Sequence, residues 1–68
     1  MRYAVIIERE TGTYSAYVPD LPGCVTVGET IEETLHEMQE AIRFHIEGLN
    51  EDGPPIPEPS TIVEYVEA

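Results

Sequence analysis

The chain contains no lysine and no tryptophan, and its 68 residues include a single cysteine. One cysteine cannot close an internal disulfide, and the two histidines and Cys24 do not have zinc-site spacing. The apolar runs are far shorter than the ~20 residues of a membrane span, and the N-terminal run is too short for a signal peptide. These absences predict a cytoplasmic protein that has a reduced cysteine, no cofactor, no metal and no membrane contact.

Positive charge is scarce as well. Fourteen acidic residues stand against three arginines, which gives a formal net charge of −11. A field of this sign repels phosphate backbones, so we expect no direct binding to nucleic acid. The same field attracts a basic protein partner.

The short chain forms one domain, residues 1–68, with a small core. A domain of this size buries only about 60% of the surface of its unfolded chain. Without a disulfide or a metal, oligomerisation is the remaining way to add buried surface. We therefore expect a homo-oligomer, a dimer or a tetramer.

The residue pattern predicts three strands, a helix and a fourth strand. Residues 2–9 are β-branched and aromatic, 14–18 form the return strand of a hairpin, and 24–28 follow a proline loop. A proline-rich connector over 53–60 precedes a last strand at 61–66. A right-handed βββαβ arrangement predicts an α+β fold, in which a four-stranded mixed sheet of order 3-2-1-4 carries one helix on one face.

A capping box marks the start of the helix. The Thr30 hydroxyl can accept the backbone N–H of Glu33, whose carboxylate can reach back to the Thr30 N–H. The helix should end near residues 50–53, ahead of two prolines. An apolar stripe is predicted to cover the sheet, flanked by Thr34, Ala41 and His45; it consists of Ile31, Leu35, Met38, Ile42, Ile46 and Leu49.

The first strand is apolar on both faces. Tyr3, Val5 and Ile7 lie on one side, and Ala4 and Ile6 on the other. A single helix covers only one face, so the other face is a candidate contact surface. Tyr14 or Tyr17 of the second strand adds to it.

The residues that could carry chemistry favour structural roles. His36 should face water and His45 the edge of the core, so they cannot hold one metal ion together. Cys24 is expected to be a buried hydrophobic side chain, because no cationic neighbour is predicted to lower its pKa. We therefore assign no catalytic residue.

A metal-dependent nuclease is the enzymatic alternative. It would need Glu8, Glu10 and Asp20 to converge on metal ions about 4 Å apart. Most other acids fall on the solvated helix face or in turns, where solubility explains them better.

Two further features are candidate partner contacts. Phe44 lies on the polar helix face, where either the connector folds over it or a partner contacts it. The loop over residues 20–23 either only shapes the crossing between strands or contacts a partner. The candidate partner-binding residues are Tyr17, Asp20, Leu21, Pro22, Gly23 and Phe44.

Several motifs together resemble those of the HicB antitoxins. The tyrosine strand 12–18 leads into Pro-Asp-Leu-Pro-Gly-Cys at 19–24, which is similar to the family signature. Residues 28–35 resemble its Gly-x-Thr-x-Glu-Glu helix start, and 55–60 resemble its Pro-Ile-Pro-x-Pro-Ser connector. The match covers nearly the whole chain in the same order.

This resemblance implies a partial ribonuclease-H-like domain that acts as an antitoxin. The implied partner is a HicA-type toxin that cleaves messenger RNA, and neutralisation implies covering its basic RNA-binding and catalytic surface. The family also implies dimers or tetramers. Many members carry a C-terminal DNA-binding segment that has no counterpart before Ala68, so we do not expect this polypeptide to regulate its own genes alone. A solitary module that binds another protein or a ligand is the alternative.

Overall fold

Three antiparallel strands precede one long helix. The computed structural model describes residues 1–53 and 55–68, and their side chains except those of residues 51 and 52. The strands are β1 (Ile6–Glu10), β2 (Thr13–Tyr17) and β3 (Val25–Gly28), and the helix is α1 (Ile31–Asp52). The α+β class is confirmed.

The sheet is a meander of order β1-β2-β3. The β1–β2 hairpin pairs Ile6 with Tyr17 and Glu10 with Thr13. The pairing of β2 with β3 places Val25 opposite Tyr17. Directly opposed residues share a face of a sheet, so Ile6, Tyr17 and Val25 lie side by side.

The helix begins and ends as predicted. The Thr30 hydroxyl accepts the backbone N–H of Glu33 at 3.0 Å, which satisfies one of the free N–H groups of the first turn. At the other end Gly53 has a φ of 88°, and its N–H donates to the Leu49 carbonyl at 3.0 Å. Only a residue without a side chain takes this left-handed conformation readily.

The core lies between α1 and the sheet. Its buried apolar side chains are Ala16, Val18, Leu21, Cys24 and Met38. Tyr3, Val5 and Ile7, which were predicted to share one side of the first strand, pack against it. Among the described residues, no helix has the length and apolar character of a membrane span.

The helix is rotated relative to the predicted stripe. Thr34, predicted at the flank, is fully buried, whereas Ile31 and Leu35 are nearly half exposed. The reason is a close approach: a Cβ on Gly28 would lie 2.5 Å from the Thr34 Oγ1. A glycine facing a threonine lets the helix pack nearer to β3, and the larger aliphatic side chains turn to its sides.

The predicted fourth strand is not confirmed. In the described part of the chain, residues 61–66 belong to no sheet, and the sheet has three strands. The strand predicted over 2–9 likewise begins only at Ile6. The late start of β1 has a plain cause: ladder hydrogen bonds need a neighbour, and β2 reaches only as far as the partner of Ile6 before the chain turns at Pro19. The predicted connector over 53–60 includes residue 54, which lies outside the described residues.

Candidate protein-interaction surface

The sheet face opposite α1 is apolar and uncovered. Val25 is 60% exposed, Val27 57% and Tyr17 42%, and Ile6 lies beside Tyr17 on the same face. We call the surface formed by Ile6, Tyr17, Val25 and Val27 the open sheet face. A contiguous apolar patch of this kind is the usual mark of an interaction surface.

Carboxylates border the open sheet face at the hairpin end. Glu8 stands opposite Ser15, and Glu10 stands opposite Thr13. The Ser15 hydroxyl donates to the Glu10 carboxylate across the strands at 3.3 Å. The surface thus combines an apolar centre with a negative rim, which suits a partner that is apolar at its centre and basic around it.

The two predicted tyrosines lie on opposite faces. Tyr17 is on the open sheet face, as one of the two predicted alternatives. Tyr14 points to the helix side, where the Arg9 guanidinium lies 5.9 Å from the centre of its ring. This arrangement leaves Arg9 off the open sheet face.

The proline loop is mainly structural. Leu21 is 0% exposed and belongs to the core, so its side chain cannot contact a partner; this corrects its place among the candidates. Backbone bonds close the loop, because the Val18 N–H donates to the Cys24 carbonyl at 3.3 Å and the Leu21 N–H to the Val18 carbonyl at 3.1 Å. Pro22 and Gly23 are exposed at its tip.

Asp20 holds the end of the connector. Its carboxylate accepts the backbone N–H groups of Ser60 (3.2 Å) and Thr61 (3.1 Å) and both of their hydroxyls (3.1 and 2.9 Å). These hydrogen bonds, the Thr61 N–H first among them, lower the pKa of Asp20. The carboxylate therefore fixes where the C-terminal segment leaves the body of the protein.

A second bond holds the connector. The Tyr3 hydroxyl donates to the Pro57 carbonyl at 2.7 Å. Burial raises the pKa of Tyr3, and the charges of Glu58 and Asp20 raise it further, so the phenol keeps the proton that it donates.

Phe44 is separate from the open sheet face. It is 79% exposed on α1, on the side of the molecule away from the sheet. The described part of the connector does not cover it, and its contact with a partner stays a prediction. A shallow pocket of about 260 Å³ lies beside it, lined also by His45, Gly48 and Leu49.

The remaining polar side chains lie where the sequence predicted. His36 is exposed and 3.2 Å from the Glu40 carboxylate, and His45 is half-buried at the edge of the core. Cys24 is buried with its Sγ 3.7 Å from the Met38 Sδ. Burial raises the pKa of the Cys24 thiol, which disfavours the nucleophilic thiolate.

The three carboxylates of the nuclease alternative do not converge. Glu8 and Glu10 are at the hairpin end of β1, whereas Asp20 follows the opposite end of β2 and is bound by Ser60 and Thr61. Among the described residues no group of three or more His, Cys, Asp or Glu side chains could hold a metal ion. The positions of these three carboxylates therefore do not support the metal-dependent nuclease alternative.

Sequence reasoning missed Val25 and Val27. The sequence contained a signal for them, because apolar and polar residues alternate in Val25-Thr26-Val27. In the structure Thr26 faces the helix, and its hydroxyl donates to the Thr34 carbonyl at 3.3 Å. In a strand, a threonine that points to the core places its valine neighbours on the opposite face. The open sheet face is therefore larger than predicted and includes β3.

The fold and this surface define a small acidic α+β module with one uncovered apolar sheet face. Residues 3–68 match the family described as HicB_like antitoxin of bacterial toxin-antitoxin systems. The chain belongs to this family, and the resemblance stated from the sequence is confirmed.

Relatives agree with this membership. A UPF0150 protein of Thermoplasma acidophilum is 48% identical over 58 residues, which cover 84% of each chain. The Photorhabdus laumondii protein named Antitoxin HicB 2 is 38% identical over 61 residues, 90% of this chain and 44% of that protein. A 14.9 kDa protein of Haemophilus phage HP1 is 41% identical over 66 residues, 97% of this chain. The chain spans half the length of the phage protein.

Proposed function

We propose that this chain neutralises a HicA-type, mRNA-cleaving toxin by covering its basic RNA-binding and catalytic surface. In this proposal the chain catalyses no reaction itself. Its support is the antitoxin family to which the chain belongs and the name of the Photorhabdus relative. Because messenger RNA is the substrate of such a toxin, the complex would form in the cytoplasm.

The observation that carries the proposal is the open sheet face. Burying exposed apolar surface contributes roughly 25 cal/mol per Å², so the two valines and Tyr17 supply the apolar contact area for a partner. The net charge of −11 supplies attraction to a basic partner before contact is made. Of the candidate partner-binding residues, Tyr17 lies within this face, Pro22 and Gly23 are exposed at the loop tip, and Phe44 would belong to a separate contact.

The experiment is an RNA-cleavage assay with a HicA-type toxin encoded beside this chain. We expect cleavage to stop when the purified chain reaches the molar amount of the toxin. Undiminished cleavage at a several-fold molar excess would refute the proposal.

A matched pair of variants tests which surface acts. Val27→Arg places a positive charge on the open sheet face, and Leu35→Arg replaces a similarly exposed aliphatic residue on α1 with the same charge. We expect Val27→Arg to weaken inhibition at least tenfold, whereas Leu35→Arg should inhibit like the unchanged chain. Equal inhibition by both variants would assign the contact to another surface.

A solitary homo-oligomer that binds another protein or a ligand is the second candidate. One observation favours it: Ile62, Tyr65 and Val66 are all more than 80% exposed. The predicted four-stranded, partial ribonuclease-H-like sheet is part of this second candidate. Residues 61–66 can form its fourth strand only when another strand lies beside them. A chain that forms oligomers and leaves the toxin active would fit this candidate alone.

A further inference from the structure

One side of α1 presents a projecting aromatic ring beside a pocket. Phe44 is 79% exposed, and the pocket of about 260 Å³ next to it is lined also by His45, Gly48 and Leu49. Residues four apart are neighbours on the surface of a helix, so the ring of Phe44 and the gap over Gly48 lie side by side. We call the surface formed by these four residues the Phe44 surface.

Phe44 and Gly48 are both unfavourable for the chain by itself. An exposed phenyl ring keeps apolar area in water, and glycine is, after proline, the least favourable residue inside a helix. Packing does not require this glycine, because a Cβ on Gly48 meets no atom within 4 Å. Gly28 is the contrast, since a Cβ there would meet the Thr34 side chain. The missing side chain at Gly48 keeps the pocket open, and no contact among the described residues explains it.

The size of the pocket suits one side chain of another protein. Sites for small molecules usually enclose about 300–1,000 Å³, and this shallow pocket of about 260 Å³ is smaller. It is nevertheless several times larger than the ~30 Å³ that a water molecule occupies in the liquid. A ring that projects beside a hole of this kind is the arrangement by which two helices interlock their side chains.

Carboxylates border the Phe44 surface on the side away from the pocket. Glu40 lies four residues before Phe44 and Glu47 three residues after it, and both are exposed. Arg43, the one basic residue of α1 apart from its histidines, lines a different pocket beside Tyr3. The field at this surface is therefore negative. It repels a second copy of this chain and nucleic acid, and it attracts a basic segment of another protein.

We propose that the Phe44 surface docks a basic, amphipathic helix of another protein. One apolar side chain of that helix would fill the pocket over Gly48, and its lysine or arginine side chains would face Glu40 and Glu47. The open sheet face lies on the other side of the sheet from α1. This contact therefore goes beyond the proposed antitoxin function, because the chain would hold a toxin and a second basic protein at the same time.

The first test uses a synthetic peptide as the probe. The peptide has about 18 residues, enough to form a helix, with leucines along one face and lysines on the other, and it carries a fluorescent label. Fluorescence anisotropy should show saturable binding to the full chain. A scrambled peptide of the same composition has no apolar stripe and should bind at least tenfold more weakly. Equal binding of the two peptides would overturn the proposal, because charge alone would then explain the attraction.

Two substitutions test the ring and the pocket. Phe44→Ala removes the ring, and Gly48→Leu fills the pocket with a side chain that favours a helix. We expect each to weaken binding of the peptide at least tenfold, while circular dichroism shows that α1 is intact. Leu35→Ala is the matched control, because nine residues separate Leu35 from Phe44 and place it on the opposite side of the helix. Peptide binding that both Phe44→Ala and Gly48→Leu leave unchanged would overturn the proposal.

A pair of double variants tests the carboxylates. Glu40→Gln with Glu47→Gln should weaken binding several-fold and reduce its dependence on salt. Glu29→Gln with Glu32→Gln removes the same charge near the start of α1 and is the control. Equal effects of the two double variants would show that only the net charge of the chain matters, and would contradict the assigned contacts.

The remaining alternative is that the peptide occupies the open sheet face. Binding that is lost in Val27→Arg and retained in Phe44→Ala would place the peptide there and would overturn the proposal. The binding assay contains no toxin, so its outcome is independent of the proposed antitoxin function. Conversely, a chain that binds the peptide through Phe44 and leaves the toxin active would refute that function alone.

Discussion

At the scale of single residues, Gly28 determines how α1 meets the sheet. No side chain separates β3 from the buried Thr34, whose hydroxyl donates to the Thr30 carbonyl at 2.7 Å. The first turn of the helix is thereby fixed at the position that the Thr30 cap defines. This one contact accounts for the burial of Thr34 and for the exposure of Ile31 and Leu35.

The substitution Gly28→Ala should therefore destabilise the protein. The added methyl group would lie 2.5 Å from the Thr34 Oγ1, and inserting a carbon into a filled site lowers the free energy of unfolding by about 1–3 kcal/mol. Urea unfolding followed by circular dichroism measures the change.

Gly48→Ala is the matched control for this substitution. A Cβ on Gly48 meets no atom within 4 Å, and alanine in a helix is more stable than glycine by about 0.5–1 kcal/mol. We expect Gly48→Ala to raise the free energy of unfolding. Similar losses in both variants would show that the Gly28–Thr34 approach does not limit packing.

At the scale of elements, the predictions that depend on local signals are confirmed, and the prediction of non-local strand pairing is not. The Thr30 cap and the helix end at Gly53 each depend on a few neighbouring residues, and both could be predicted. The fourth strand and the first half of the first strand depend on a neighbour far along the chain or in another molecule. Extended backbone propensity at 61–66 says nothing about where that neighbour is.

The candidate interaction surface shows the same difference between local and non-local signals. The two apolar sides of the first strand predicted one uncovered sheet face, because the alternation of side chains along a strand is a local property. Which side is uncovered, and that Tyr17 lies on it, comes from the structure. The core position of Leu21 could not be predicted from the sequence of its loop. The two prolines predict a turn, but they do not predict on which side of the turn the leucine packs. The role of Asp20 was missed for a similar reason, because its four donors are forty residues away.

The hydrogen bonds between Asp20 and the connector make a pH-dependent contribution to the free energy of unfolding. Hydrogen bonds hold the pKa of this carboxyl below its usual value of 3.8, so the folded state favours the ionised form more than the unfolded chain does. The stability is fully present above pH 3.8 and is lost as the pH falls through the lower folded pKa. Asp20→Asn should therefore be less stable than the unchanged chain at pH 7, with a difference that shrinks below pH 3.8.

Urea unfolding at pH 7 and at pH 3 measures this difference. Glu37→Gln, which removes a carboxylate from the exposed helix face, is the control and should show no such convergence. An Asp20→Asn variant as stable as the unchanged chain at pH 7 would contradict the anchoring role of the carboxylate.

At the scale of the whole molecule, the proposed toxin contact should depend on salt, because the net charge of −11 attracts a basic partner. Attraction between opposite charges weakens as salt is raised. Salt should therefore loosen the toxin complex.

The most direct test of the account is methyl NMR of this chain as the toxin is added at low salt. We predict that the methyl signals of Ile6, Val25 and Val27 shift or broaden and become protected from a paramagnetic agent in the solvent, whereas those of Leu35 on α1 do not. Unchanged signals from the open sheet face in a chain that has bound and inactivated the toxin would contradict the account.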